Sequence, residues 1–330
     1  MKSTSALITG GTGFIGGKLL DRLIQMGAKH LVLFVRPGTE PSRYRRFERA
    51  GVKIVQGVIY DPDALKRLFD AHSFDVVYHL AAIRGAGPLT RKEYVRTNVL
   101  ATEQIARQAA RTGSRLVFCS SVGVFGTIPK TLPAGEGTPY YGDTLYHQTK
   151  IRAEEHLRAL IPHGLDVVII RPTITYGIGD DGFPYALIKL VESGRFVHPS
   201  REVQIHLGDV QVLTGAFVQA AERELRSGST YIVADRAPVR LRALVDLISL
   251  RLKDRPYPRW KTLPSVAFDL AAFVFGEIAR KEAWSVRFQL IAKSWYYDTE
   301  RTERDLQLEQ ANTLERFGYM IEWYLGTRRK

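Results

Sequence analysis

Cysteine occurs once in the 330 residues, at Cys119. A single thiol forms no internal disulfide, so a fold stapled for an oxidising environment is excluded and a reducing, cytoplasmic compartment is expected. No uncharged apolar run reaches the ~18 residues that a membrane span requires. The longest candidate, 266–279, is interrupted by Asp269 and Glu277, so no membrane span is expected. The stretch from Thr4 to Thr9 gives way to glycines, which is too short for the core of a secretion signal. Acidic residues are in deficit: 34 Asp and Glu stand against 47 Lys and Arg, a net charge of +13. That excess favours anionic partners, whether a phosphate-bearing cofactor, an acidic substrate, nucleic acid or an acidic membrane surface, and does not choose among them. Repeats and low-complexity tracts are absent, and no nucleic-acid-binding module is recognisable, so no nucleic-acid partner is expected. What is present is an ordinary globular composition, 45% hydrophobic and 25% charged, over a length that suggests roughly two domains.

Apolar runs recur along the first half: Ala6–Ile8, Leu31–Val35, Val52–Val55, Val76–Leu80, Leu116–Cys119 and Val167–Ile170. Apart from Lys53 and His79, each is continuous rather than alternating, as strands buried on both faces are. Helical spacing fills the gaps, for example in 63–71, 99–111 and 146–160. The pattern predicts a doubly wound α/β parallel sheet of Rossmann type. After Arg171 the regularity decays. Segment 177–205 reads as loop-rich, 230–234 as a seventh strand, and 240–330 as mostly helix. The expected division is a dinucleotide-binding domain over 1–172, to which 206–235 returns, and a smaller, mainly helical substrate domain over 173–330.

Between the first strand and the first helix lies Thr9-Gly10-Gly11-Thr12-Gly13-Phe14-Ile15-Gly16. Here the chain must reverse tightly, bring bare backbone against a pyrophosphate and aim a helix N-terminus at that charge. A side chain at Gly13 would block the phosphate, and Gly16 lets the helix lie close to the sheet. A strand before and a helix after turn this weak pattern into a specific one. NAD sites place an acid about 20 residues past the glycines, on the ribose hydroxyls. Position 36 is Arg, with Arg43, Arg45 and Arg46 following. Guanidinium forks suit a 2′-phosphate, so NADP is preferred, with NAD possible; a solvated basic loop is the plain alternative.

Tyr146 and Lys150 stand four residues apart, on one face of a helix. A nearby ammonium is expected to lower the phenol from its ordinary value of about 10. The pair could then pass a proton to or from a substrate oxygen while hydride moves at carbon. Ser120-Ser121 closes the fifth strand, whose carboxyl end points to the ligand crevice. One of the two could bind that oxygen and the other serve as a turn or cap.

These residues resemble the extended short-chain dehydrogenases/reductases, the NAD(P)-dependent epimerase/dehydratase superfamily. The likeness runs nearly end to end: Thr9–Gly16, His79-Leu80-Ala81-Ala82, Asn98, Ser120–Gly126, Tyr146 with Lys150, Arg171–Gly177, His206–Val210, and Tyr297-Asp298 with Asp305-Leu306. It implies a catalytic trio of Ser121, Tyr146 and Lys150. It implies cofactor contacts at Gly10, Gly13, Phe14, Ile15, Gly16, Arg36, Val58, Leu80, Ala81, Ala82, Asn98, Tyr146, Lys150 and Pro172. It also implies a homodimer through the helices of 98–111 and 146–160, and no metal.

Departures narrow the chemistry. Val122-Gly123 stands where sugar-nucleotide dehydratases of the superfamily carry Asp-Glu, so that acid-base pair is missing. Uridine-diphosphate binders usually carry Arg four residues before the His of the His206 motif; position 202 is Glu, and no R-P-G-D follows in 287–295. Val58 replaces the Asp that usually meets the adenine. Phe34-Val35-Arg36-Pro37 and the form of Arg171–Gly177 look closer to the dihydroflavonol-reductase and sterol-dehydrogenase branches, which act on apolar ketones and alcohols. The expected function is hydride transfer between a nicotinamide and a carbonyl or alcohol carbon of a small-molecule substrate. A nucleotide-sugar epimerase with tightly bound NAD is the alternative, followed by a non-catalytic dinucleotide sensor. Segments 84–92, 127–143 and 177–205 are expected to shape the pocket. Stretch 266–279 is open to three readings: core helix, pocket wall or membrane-surface helix.

Overall fold

The computed structural model describes residues 5–84, 89–279 and 282–328. Seven strands form one parallel sheet: β1 (Ser5–Thr9), β2 (His30–Val35), β3 (Lys53–Gln56), β4 (Val76–His79), β5 (Arg115–Cys119), β6 (Val167–Pro172) and β7 (Thr230–Val233). Their order is β7-β6-β5-β4-β1-β2-β3, every pair parallel. This is the doubly wound arrangement, and its order reverses between β1 and β4, where the carboxyl ends of the strands leave a crevice.

The continuous apolar runs follow from burial on both faces. Because successive side chains point to opposite sides, Ala6 and Ile8 enter one core with Leu19, Leu20 and Leu23 of helix α1 (Phe14–Gln25). Leu7 enters the opposite core with Leu65 and Leu68 of α2 (Pro62–Ala71), Ile105 of α3 (Ala101–Thr112) and Leu157 of α4 (Leu145–Leu160). A third core gathers the C-terminal half around Phe196, Leu244, Ile248, Trp295 and Phe317.

Segment 177–205 is not all loop. Helix α5 (Phe183–Glu192) begins with Pro184 in its first turn, where the fixed φ of proline suits a helix start and its missing N–H costs nothing. Helices α6 (Val210–Glu222), α7 (Leu241–Lys253), α8 (Ser265–Phe273), α9 (Glu282–Ala292) and α10 (Thr313–Arg328) follow. A π turn, Val274–Ile278, continues α8. No described helix is long and apolar enough to cross a membrane.

Candidate active site

The glycine turn is shaped from inside and open outside. Gly10 has φ +75°, and a Cβ there would lie 2.6 Å from the Ala81 amide nitrogen. A Cβ at Gly16 would lie 2.3 Å from the Gly10 carbonyl oxygen. Gly13 differs. Its residue is exposed, and a Cβ there would meet only the Gly10 oxygen, at 3.3 Å. Gly13 also starts α1 with no side-chain cap and no acid in the first turn. An open glycine, an uncapped helix start and the switch point of the sheet together fit a dinucleotide phosphate. Ile15 and Leu80 pack against the first core. The Phe14 ring lies beside Gly177 and Gly179. Pro172 is buried where β6 pairs with β7, and Val58 is part-exposed just beyond β3. Arg36 is exposed at the end of β2, and the Arg43 guanidinium reaches the Thr12 carbonyl of the glycine turn at 3.5 Å.

A buried chain of hydrogen bonds braces the turn. The Ala81 N–H donates to Thr9 Oγ1 (3.3 Å), and Thr9 Oγ1 meets His79 Nδ1 (2.7 Å). His79 Nε2 meets Thr102 Oγ1 (2.9 Å), whose hydroxyl donates to the Asn98 carbonyl (2.8 Å). That last donation leaves Thr102 an acceptor toward His79, so the imidazole carries its proton on Nε2 and accepts from Thr9 on Nδ1. Burial, and secondarily the charge of Lys150, hold His79 neutral, with its pKa pushed down to about 3. Asn98 lies in a π turn and is itself buried. Its Oδ1 accepts from Ile83 N (2.7 Å), and its Nδ2 donates to Ile83 O and to Thr149 Oγ1, both at 3.0 Å. The structure thus clamps the Ala81–Ile83 loop to α4 through Asn98, whose amide protons are both taken by the protein.

Tyr146 and Lys150 share the first turns of α4, which Thr144 caps through the His147 N–H. Lys150 Nζ donates to the Cys119 carbonyl at 2.6 Å, at the end of β5, and lies 5.9 Å from the Tyr146 ring centre. Ser121 caps the short turn Val122–Phe125, accepting from Gly123 N at 3.0 Å, and its hydroxyl acts to lower the pKa of the Tyr146 phenol. Ser120 turns the other way. Its hydroxyl donates to buried Glu154 at 2.6 Å, and Glu154 also holds Arg171 through two hydrogen bonds, at 2.9 and 2.6 Å. The residues alone leave the two serines open and the resemblance picks Ser121; the geometry commits Ser120 to a structural ion pair with Glu154. One electrostatic expectation is overturned. Burial is the largest influence on Tyr146 and raises its pKa, while Ser121 and Arg84 lower it only in part. Burial likewise lowers Lys150. Both groups are therefore biased toward their neutral forms.

Tyr146 opens onto a cavity of about 920 Å³, walled largely by apolar side chains of α5, α8 and α9, among them Leu187, Phe268 and Phe288. Segment 177–205 supplies Asp180 to Val197 of this wall, whereas none of the described lining residues comes from 127–143. Arg84 and Leu89 contribute from 84–92, whose residues 85–88 lie outside the described part.

His147 is a cavity residue that the motif reading passed over. Its Nδ1 lies 2.6 Å from Asp143 Oδ1, the i, i+4 spacing that could have flagged it. A Cβ at Gly123 would lie 2.2 Å from the His147 Cδ2 atom. The imidazole therefore fills the space that a side chain at position 123 would need, beside the phenol. Asp209, in the motif after His206, serves as the cap of α6, accepting from Gln211 N at 2.6 Å.

Comparisons with known proteins agree with this architecture. UDP-glucose 4-epimerase of Pongo abelii is 34% identical over 167 residues, 47% of this chain and 48% of that protein. The chain thus spans about half the length of the first such relatives. The 4-hydroxy-2-methyl-3-oxo-4-farnesyl-3,4-dihydroquinoline-1-oxide ketoreductase of Stigmatella aurantiaca is 30% identical over 250 residues, 73% of this chain and 71% of that protein. The crystal structure of UDP-glucose 4-epimerase with UDP-glucose from Thermotoga maritima shares the fold, with a TM-score of 0.77 at 19% identity over 98% of this chain and 99% of that one. The family model for the NAD dependent epimerase/dehydratase family matches residues 6–212, more than half of the sequence, and the chain belongs to that family.

Proposed function

We propose that the protein is a nicotinamide-dependent ketone reductase, or alcohol dehydrogenase, acting on an apolar substrate with Ser121, Tyr146 and Lys150. The observation that carries this reading is the apolar cavity of about 920 Å³ with Tyr146 on its wall. A polar sugar nucleotide would leave its hydroxyls against Leu187, Phe268 and Phe288, where unpaired polar groups cost roughly 1–3 kcal/mol each. A ketoreductase of a farnesylated substrate among the relatives supports the same chemistry. A nicotinamide cofactor supplies or accepts the hydride when bound. The chain's part is the proton and the positioning. Tyr146, kept protonated by burial, is in the form that donates a proton to an oxygen gaining negative charge during reduction. Ser121 orients that oxygen. Lys150, anchored on the Cys119 carbonyl, fixes the helix against β5. Asn98 acts as a positioning residue. In this reading 1–172 hold the dinucleotide and 173–330 shape the substrate cavity.

NADP is the proposed partner, because Arg36 replaces the ribose-binding acid and Arg43 already reaches over the glycine turn. Titrating the protein with NADPH and NADH, then supplying a panel of prenylated and cyclic ketones, tests both statements. NADPH consumption with an apolar ketone is the expected result; tight, non-exchanging NAD in the purified protein together with sugar-nucleotide turnover would establish the epimerase reading instead. Arg36→Asp is expected to shift preference at least tenfold toward NADH, and an unchanged ratio would make Arg36 a solvated loop residue.

A further inference from the structure

Helix α8 and its π turn are apolar on two opposite sides. Inward, Ala267, Phe268 and Ala271 line the cavity. Outward, Val266, Leu270, Phe273 and Ile278 are exposed at 69, 61, 57 and 69%. A helix that is apolar all round is normally covered. The single charge within α8, Asp269, is engaged by Arg201 at 2.6 Å and Lys293 at 3.5 Å. With nine residues in the helix and five in the π turn, the segment is about 20 Å long. That is short of the ~30 Å hydrocarbon thickness, so it can lie along a bilayer and cannot cross one.

What flanks the segment is basic and aromatic. Residues 251–261 carry five Lys or Arg and one Asp; Arg251 pairs with Glu322, Lys253 and Lys261 donate to the Val191 and Gly194 carbonyls, and Arg255 and Arg259 are exposed. Trp260 is 80% exposed with the Lys261 ammonium 5.2 Å from its ring, and Arg287 stands 5.2 Å from the ring of half-exposed Trp284. Tryptophan paired with a long cationic side chain suits the boundary between headgroups and acyl chains, where the ring is half-immersed and the charge reaches water and phosphate.

We propose that this face docks on an anionic phospholipid bilayer, with Val266, Leu270, Phe273 and Ile278 in the headgroup boundary and the exposed Arg255 and Arg259 against the anionic headgroups. Leu263 and Trp284 belong both to the exposed face and to the cavity wall, so a docked molecule has the cavity mouth at the lipid surface. The corollary, that the substrate is a membrane-dissolved ketone or alcohol, rests on the function proposed above; docking itself does not.

Full-length protein is sedimented with vesicles of equimolar phosphatidylglycerol and phosphatidylcholine, and with vesicles of phosphatidylcholine alone. Binding to the anionic vesicles is expected, at least tenfold weaker on the neutral ones and weakened by salt. A Leu270→Glu, Phe273→Glu double variant is expected to lose at least tenfold in vesicle binding at unchanged melting temperature and unchanged dinucleotide binding, since neither side chain lines the cavity. A wild type that stays in the supernatant overturns the proposal, as does a double variant that binds equally well. Light scattering that shows this face joining two copies, which the double variant separates, with no vesicle binding, also overturns it. Vesicle binding by a protein that turns over no ketone would sustain docking and remove the apolar-ketone reading. Ketone turnover without vesicle binding would do the reverse.

Discussion

At the scale of single residues, the proposed chemistry converges on the Tyr146 phenol. Tyr146→Phe removes the proton and leaves the glycine turn untouched, so dinucleotide binding should persist while turnover falls by about 10²–10⁴; steady-state rates beside a cofactor titration check this. A variant with near-full activity would take Tyr146 out of the mechanism. Gly123 gives a sharper structural test, because the atom a new Cβ would strike belongs to the movable His147 imidazole. Gly123→Ala should displace the ring from Asp143 and cost roughly 1–3 kcal/mol. His147→Ala in the same chain should recover most of that, a coupling that a double-mutant cycle by urea melts would reveal. Tyr146, Lys150 and the serine pair are legible in sequence because i, i+4 spacing and a strand end are local properties. His147 was equally local, through Asp143, but no motif drew attention to it. The cavity was not legible, since Tyr146, Asp180, Phe268 and Phe288 meet only through the tertiary fold.

At the scale of elements, the tie between α4 and β6 is a buried ion pair. Glu154 accepts from Ser120, Tyr140 and Arg171. Burial alone would raise its carboxyl, and the hydrogen bonds and charge of Arg171 outweigh that to hold it low. Glu154→Ala strands the Arg171 guanidinium in the interior, and a loss of about 3–5 kcal/mol is expected in denaturant melts. Changing both to apolar residues of similar volume should cost far less. Most strands were readable to within a residue or two, because parallel pairing under helices demands continuous apolar runs. Helix α5 was not: glycines and a proline around Phe183 resemble a loop, and the same proline starts the helix. Stretch 266–279 resisted a single reading because one of its sides is cavity wall and the other is bare.

At the scale of the whole molecule, buried ionisable groups set the response to acid. His79 and His198 are pushed down by burial to about 3 and about 4. A depressed histidine binds its proton in the unfolded chain first, so stability falls as pH drops below about 6.5. Asp180 and Asp235 are raised by burial to about 6. They bind protons in the folded state first, so stability grows as pH drops from about 6 toward 4. The two pairs oppose each other at roughly 1.4 kcal/mol per pH unit per proton. Stability should therefore be nearly flat between pH 4 and 6 and fall below 4, where the lowered Glu154 carboxyl adds its own loss because the unfolded chain binds that proton first. Urea melts across that range check this, and a slope of one full proton or more between pH 4 and 6 would contradict the balance. The dimer implied by resemblance would join the α3 and α4 faces, and light scattering at micromolar concentration should report twice the chain mass.

The hydrogen-bonded series from Ala81 through Thr9, His79 and Thr102 to the Asn98 carbonyl has one further consequence. Each hydroxyl owns a single hydrogen, each hydrogen already has its destination, and the series begins and ends on backbone amide groups that neither release nor take up a proton near neutrality. It is a strut rather than a wire. Thr102→Val would leave an imidazole N–H facing hydrocarbon, and the damage should surface at the far end, as slack in the loop beneath the glycine turn.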